Sequence, residues 1–152
     1  MRTRLRINES KRSRQKGNAL IEFALCSVLL LLMTCGIVDF GRVLTDANCA
    51  FAAAAAGTTY GALSPAHYDQ TGMQNAAIAD TGNQPGVTAN AIQFCTCSIG
   101  GATVTCPADC SGGGSPETYI QVTVTLPFHA VIAYPWVPDP INVTGISTVR
   151  VQ

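Results

Sequence analysis

The sequence has few charged side chains, and almost all of its positive charge lies in one terminal block. Only 12% of its 152 residues are charged, compared with about a quarter in an average soluble domain. Nine basic residues balance nine acidic ones, and seven of the basic residues lie within residues 1–16. Residues 17–152 contain no lysine and only two arginines, Arg42 and Arg150. This distribution excludes a uniformly basic nucleic-acid-binding protein.

The chain also lacks the short motifs of common enzyme chemistries. It has no phosphate-binding loop, no Gly-x-Ser-x-Gly, no His-Glu-x-x-His and no Cys-x-x-Cys. Only two histidines, His67 and His129, are available as acid–base groups or ligands. We therefore predict that the protein is not an enzyme, has no catalytic residue and uses no metal or cofactor.

One apolar segment near the N-terminus is long enough to span a membrane. The twenty residues from Ala19 to Val38 carry a single charge, Glu22, and a helix of that length is about 30 Å long, which matches the hydrocarbon core of a bilayer. The basic block precedes the segment, so we predict a cytoplasmic N-terminus and export of Asp39 onward. A cleaved secretory signal peptide is disfavoured because no small-x-small site follows promptly. An uncleaved anchor is an alternative that the composition of this segment does not exclude.

The start of the apolar segment resembles a known processing signal. The basic leader is followed at residues 17–23 by Gly-Asn-Ala-Leu-Ile-Glu-Phe. This string is similar to the processing site of type IV pilin-like precursors, in which a membrane peptidase cuts after the glycine and a glutamate is the fifth mature residue. Counted from Asn18, Glu22 is the fifth residue. The longer pattern Gly-x-Ala-x-x-Glu-Phe-Ala-Leu resembles that of the TadE-like minor pilins, or pseudopilins, of tight-adherence (Flp-type) pilus systems.

The resemblance implies a structural function in pilus assembly and hence in cell adhesion. A prepilin peptidase would cut between Gly17 and Asn18. The assembly contact would be made by Glu22 and Phe23, with Glu22 facing the α-amino group that cleavage frees on an adjacent subunit. The sequence departs from the family at residues 55–62, where two arginines of the family pattern are missing.

The same resemblance implies the location and the partners. The protein would be a single-pass protein of the bacterial inner membrane, with a periplasmic or extracellular C-terminal domain that joins the pilus or stays in the membrane. Its partners would be a major pilin, sibling pseudopilins, the prepilin peptidase, and the Tad inner-membrane platform with its ATPase. No nucleic acid is implied.

The periodicity beyond the apolar segment predicts a continued helix. Apolar and small residues recur at spacings of three and four as far as about Tyr60, and we expect this stripe to pack on the chain's own globular part rather than on another subunit. The stripe consists of Ile37, Phe40, Leu44, Ala47, Phe51, Ala54 and Thr58.

The C-terminal half predicts a short helix followed by a sheet, so the fold class is α+β. A long N-terminal transmembrane helix extends into a small exported domain with a short second helix, Met73–Asp80, and a roughly four-stranded antiparallel sheet. Strands are expected near residues 91–99, 102–106, 119–128 and 142–151. The predicted division of the chain is a cleaved basic leader (1–17), the transmembrane segment (18–40), the exported part of the helix (41–65) and the exported α+β domain (66–152).

Four of the seven cysteines form a C-x-C-x8-C-x3-C cluster in the predicted sheet. A two-residue turn at Gly100-Gly101 places residues opposite each other when their numbers sum to 201, which pairs Cys95 with Cys106 and leaves Cys97 for Cys110. A zinc site is the alternative, but the single-residue C-x-C spacing fits zinc poorly, and an exported compartment favours disulfides.

Two further alternatives concern function. The chain could be an uncleaved single-pass protein with a periplasmic domain that binds an envelope component, or a membrane-tethered enzyme or metal-binding module. The proline-rich loop at residues 126–140 carries Tyr134 and Trp136. These aromatic side chains could form an exposed adhesive tip or cap the open end of the sheet.

Overall fold

The computed structural model describes residues 5–64, 68–97, 101–106, 110, 116–132 and 135–151, with side chains from Asn18 onward. It divides into two compact units, Met1–Phe40 and Gly41–Gln152. The α+β fold class is confirmed. The elements are helix α1 (Leu5–Leu63), helix α2 (Gln70–Asp80), and strands β1 (Thr88–Thr96), β2 (Thr103–Val104), β3 (Glu117–Phe128) and β4 (Ile141–Arg150).

The four strands of the second unit form one antiparallel sheet in the order β2-β1-β3-β4. Strand β3 is central and longest, and its side chains alternate between buried and half-buried positions as the sequence predicts. Its buried side chains, together with Met73 and Ala77 of α2 and small residues of α1, form the core. The buried β3 residues are Ile120, Val122, Val124, Leu126 and Phe128.

Helix α1 packs on the sheet through its small residues. The buried positions of α1 from Ala50 onward follow the spacing of one helical face, whereas Leu44 and Phe51 of the predicted stripe are about half exposed. The expectation that the large residues of the stripe pack on the domain is therefore wrong for these two. Small residues allow close contact between helix and sheet backbones. The buried face consists of Ala50, Ala53, Ala54, Gly57, Thr58 and Gly61.

Glycines bring helix α1 close to the sheet and to helix α2. A Cβ atom added at Gly145 of β4 would overlap the backbone of Ala50 and Phe51. A Cβ atom added at Gly57 would lie 2.8 Å from the Met73 carbonyl oxygen. The hydroxyls of Thr58 and Ser147 are 2.9 Å apart, so the helix also contacts β4 through a hydrogen bond.

Helix α2 begins three residues earlier than predicted because Asp69 caps it. The Asp69 side chain accepts a hydrogen bond of 3.0 Å from the backbone N–H of Gly72, which satisfies one of the free N–H groups of the first turn. Gly72 therefore lies inside the helix rather than before it. A glycine fits there because an added Cβ would overlap the ring of Tyr60.

Strand β3 contains Pro127, although the proline-rich segment was expected to be a loop from residue 126. Pairing with β1 ends at Thr88 and Thr125, so Pro127 pairs with Asn142 of β4 alone. One side of β3 is thus unpaired at this position, and the missing N–H of proline removes no ladder hydrogen bond. The loop between β3 and β4 accordingly spans only residues 129–140.

Candidate functional site

The N-terminal unit exposes an unusually apolar surface. The part of α1 from Asn18 to Leu63 is long and apolar enough to cross a membrane, and none of its most apolar stretch is buried. Its polar hydroxyls bond within the helix: Ser27 donates to the Ala24 carbonyl at 2.9 Å and Thr34 to the Leu31 carbonyl at 2.8 Å. A helix that satisfies its own polar groups and exposes apolar side chains is suited to a lipid environment.

Glu22 lies on this apolar surface. Its neighbours Phe23 and Leu25 are 72% and 70% exposed, and within the described part of the chain Glu22 forms no ion pair. A carboxylate in this setting costs roughly 2.5–3.5 kcal/mol at the membrane centre and less near its surface. Gly17 and Asn18 lie in the same helix, one turn or slightly more before Glu22.

The structure places all four clustered cysteines in two disulfide bonds. Cys95 is bonded to Cys106 and Cys97 to Cys110, each with 5.4 Å between the Cα atoms. Cys26, Cys35 and Cys49 are free thiols. Among the described residues, no group of three or more His, Cys, Asp or Glu side chains could hold a metal ion.

The register of the cysteine hairpin differs from the predicted one. Cys95 pairs with Val104 and Thr96 with Thr103, so opposite numbers sum to 199 rather than 201. Strand β1 ends at Thr96, and six residues rather than two connect it to β2. A shift of two residues leaves every side chain on its original face. Cys106 therefore stays on the face of Cys95, and a bond between them is feasible in either register.

The two disulfides should contribute unequally to stability. Each closes a short loop and is worth about 3 kcal/mol on loop entropy alone. Cys95 is 2% exposed and belongs to the core, whereas Cys97 is exposed. We expect replacement of Cys95 and Cys106 by serine to lower the denaturant midpoint more than replacement of Cys97 and Cys110, because serine at position 95 also buries a hydroxyl.

Protease resistance and urea unfolding of the detergent-solubilised protein measure this difference. Cys26→Ser is the control, since its thiol is free and lies in the apolar segment. If the two double variants lowered the urea midpoint equally, burial of Cys95 would add nothing to the stability that its disulfide provides.

A small polar network closes the end of the sheet where β3 begins. Glu117 accepts a hydrogen bond of 2.8 Å from the Tyr119 hydroxyl and pairs with Arg150 at 3.1 Å. The hydrogen bond to the Glu117 carboxylate raises the pKa of Tyr119. The Tyr119 ring stacks on Phe94 with 5.5 Å between centroids. These contacts fix both β1 and β4 against β3 at this end of the sheet.

The opposite end of the sheet carries the aromatic loop. Trp136 is 92% exposed, so it does not cap the sheet, and Tyr134 lies outside the described residues. Across the base of the loop, His129 Nδ1 lies 2.8 Å from an Asp139 carboxylate oxygen. Arg42 lies over the ring of Phe128, 5.3 Å from its centroid. The sequence carries no periodic signal for the pairing of Arg42 with Phe128, because it joins residues far apart in the chain.

These features define a class: an α+β protein with one apolar helix suited to a single membrane span and a disulfide-bonded domain. Residues 17–58 match the model of the family described as TadE-like protein. The match starts at Gly17 and supports the assignment of the chain as a TadE-like protein of Tad pilus systems. The chain has no significant match among curated proteins or solved structures.

Proposed function

We propose that the protein is a minor pilin, or pseudopilin, that takes part in assembly of a Tad-type pilus after a prepilin peptidase removes residues 1–17. The observation that carries this proposal is the family match over residues 17–58. It begins at the proposed cleavage site and includes Glu22 and the apolar segment. TadE-like pilus proteins are structural, and we propose a structural rather than an enzymatic role here.

Glu22 would provide the assembly contact together with Phe23. Cleavage after Gly17 creates a charged α-amino group on Asn18, and an adjacent subunit shifted along the helix axis can bring that group to Glu22. The pairing would convert a costly isolated carboxylate into an ion pair, which is strong in a low-dielectric environment. It would also set the axial position of each subunit relative to the next.

Exposed apolar residues of α1 support helix–helix contacts in such an assembly. In the exported unit, Leu44 is 49% exposed and Phe51 is 52% exposed. The small residues of the opposite face are already buried against the sheet. The large residues thus remain available for a neighbouring helix, such as that of a major pilin or a sibling pseudopilin.

The proposed location is the bacterial inner membrane, with the basic N-terminus in the cytoplasm and the disulfide-bonded domain outside it. The six net positive charges of residues 1–16 precede the apolar segment, and such segments retain their positive flank in the cytoplasm. Two disulfide bonds also fit an oxidising exported compartment. In this orientation the platform and its ATPase would contact the cytoplasmic side.

N-terminal sequencing of the membrane-purified protein tests the processing step. In cells that contain the peptidase we expect the mature chain to begin at Asn18, and in cells without it at Met1. Gly17→Ile should block cleavage because the small residue before the cut is lost. Gly36→Ala is the matched control, since nothing lies within 4 Å of its added Cβ, and it should be processed normally.

A mature chain that begins at Met1 in peptidase-positive cells would contradict the proposal. The protein would then be an uncleaved single-pass membrane protein, and its exported domain would be a candidate for binding an envelope component.

A further inference from the structure

The described part of the β3–β4 loop, residues 129–132 and 135–140, presents apolar side chains to solvent at one end of the exported unit. Trp136 is 92%, Val131 64% and Val137 43% exposed. The loop contains no lysine or arginine, and Asp139 is its one acidic residue. The Asp139 carboxylate already contacts the His129 ring nitrogen Nδ1. The loop thus combines an aromatic side chain that has a polar N–H with aliphatic neighbours and little net charge.

The β3–β4 loop is held at both of its ends. Phe128 and Ile141 pair across β3 and β4 where the loop leaves the sheet and returns to it. The contact of 2.8 Å between His129 and Asp139 closes the loop further. Trp136 is five residues from Ile141, which limits its distance from the strand end to about 18 Å.

The strand end from which the loop projects adjoins the beginning of the exported unit. Arg42 lies over the Phe128 ring at 5.3 Å. Farther along, Gly61 of the same helix packs near Ile120, at the opposite end of β3. The exported part of α1 therefore runs antiparallel to β3, and the loop lies at its Arg42 end.

Arg42 is only four residues beyond Val38, the last residue of the apolar segment. Even a fully extended chain of four residues spans at most about 14 Å. The base of the loop, at Phe128, is thus close to the residue at which the proposed membrane span ends. Tryptophan favours that depth because its ring is apolar while its N–H needs a polar partner.

We propose that three exposed residues of the β3–β4 loop, Trp136 with Val131 and Val137, form an interfacial anchor that enters the headgroup region of the leaflet from which the chain emerges. We assign the lipid surface as the partner of these residues because the base of the loop lies beside Arg42, just after the end of the apolar segment. The proposal rests on the membrane span but not on cleavage or on pilus assembly. The anchor would hold the exported unit against the bilayer before assembly.

Trp136 is the one tryptophan in the chain, so its fluorescence reports directly on the loop. The test uses the full chain in vesicles of phosphatidylethanolamine and phosphatidylglycerol whose acyl chains carry bromine near the headgroup or near the methyl end. We expect blue-shifted emission and severalfold stronger quenching by the shallow bromines than by the deep ones. Solvent-like emission without quenching, in protein that sediments with the vesicles, would overturn the proposal while leaving the membrane span intact.

A relocated tryptophan provides the matched control. The double variant Trp136→Phe with Leu63→Trp places the probe at a site that is 79% exposed and about 31 Å along the helix from Arg42. We expect no quenching from this position. Equal quenching at both positions would show that the whole domain lies on the bilayer, which overturns a specific anchor. A blue shift at Trp136 that requires added pilus subunits would show a protein partner and would also overturn it. Failure of the protein to sediment with vesicles would instead refute the membrane span.

Discussion

Replacement of Glu22 by glutamine is expected to leave membrane insertion intact and to abolish incorporation of the protein into the pilus assembly. Glutamine has nearly the same shape as glutamate, so helix α1 and its apolar surface are preserved. It removes the charge that would pair with the α-amino group of Asn18 on a neighbouring subunit. That amino group would then be desolvated without a counter-charge.

The size of the effect follows from the cost of an unpaired charge. Removing one partner of a buried ion pair typically costs about 3–5 kcal/mol, which corresponds to a loss of affinity of more than about a hundredfold. Insertion itself should improve slightly, because a neutral side chain is cheaper than a carboxylate within the bilayer. Membrane fractionation and the amount of protein in sheared pili measure the two quantities separately.

Two variants separate a charge effect from a general defect of the helix. Glu22→Asp retains the carboxylate on a shorter side chain and should retain part of the incorporation. Thr34→Ala alters another polar side chain of the segment, which donates to the Leu31 carbonyl of its own helix, and should behave as wild type. Normal incorporation of Glu22→Gln would contradict the proposed ion pair between Glu22 and the α-amino group of Asn18, whether or not residues 1–17 are cleaved.

Local patterns of the sequence predict the elements of the fold because those patterns have local causes. The alternation along residues 119–128 places Ile120, Val122, Val124 and Leu126 on one face, and the structure buries all four. The apolar segment likewise predicts a long helix. The start of α2 could also have been found, since Asp69 stands three residues before Gly72, whose N–H it caps.

Contacts between segments that are distant in the chain are harder to predict from the sequence. The register of the cysteine hairpin depends on where β1 ends. The predicted register was wrong by two residues, and a shift of two residues leaves each cysteine on the same face of the sheet. The stripe on α1 was assigned by hydrophobicity, yet Gly145 brings the β4 backbone so close that only small side chains fit between helix and sheet. A hydrophobicity pattern cannot reveal this preference, because it depends on the distance between two backbones. The exposure of Trp136 depends in the same way on how the loop returns to β4.

Gly145→Ala is therefore expected to destabilise the second unit, Gly41–Gln152, severely. The added Cβ would overlap the carbonyl group of Ala50 and the amide nitrogen of Phe51, which are backbone atoms in the interior of a helix and cannot rotate away. Helix α1 would have to move off β4, and the fully buried Ala50 and Ala53 would lose their contacts. Overpacking usually costs about 1–3 kcal/mol, and we expect a value at or above the upper end. Urea unfolding of the detergent-solubilised protein, followed by circular dichroism, measures the loss.

Gly41→Ala is the matched control for this substitution. Nothing lies within 4 Å of a Cβ added at Gly41, and alanine is favoured over glycine in a helix interior by about 0.5–1 kcal/mol. That variant should therefore be as stable as wild type or slightly more stable. Ala50→Gly should not rescue Gly145→Ala, because the overlap involves the backbone of Ala50 and not its methyl group. An unchanged urea midpoint for Gly145→Ala would show that helix and sheet are farther apart at this point, and the small-residue face of α1 would then need another explanation.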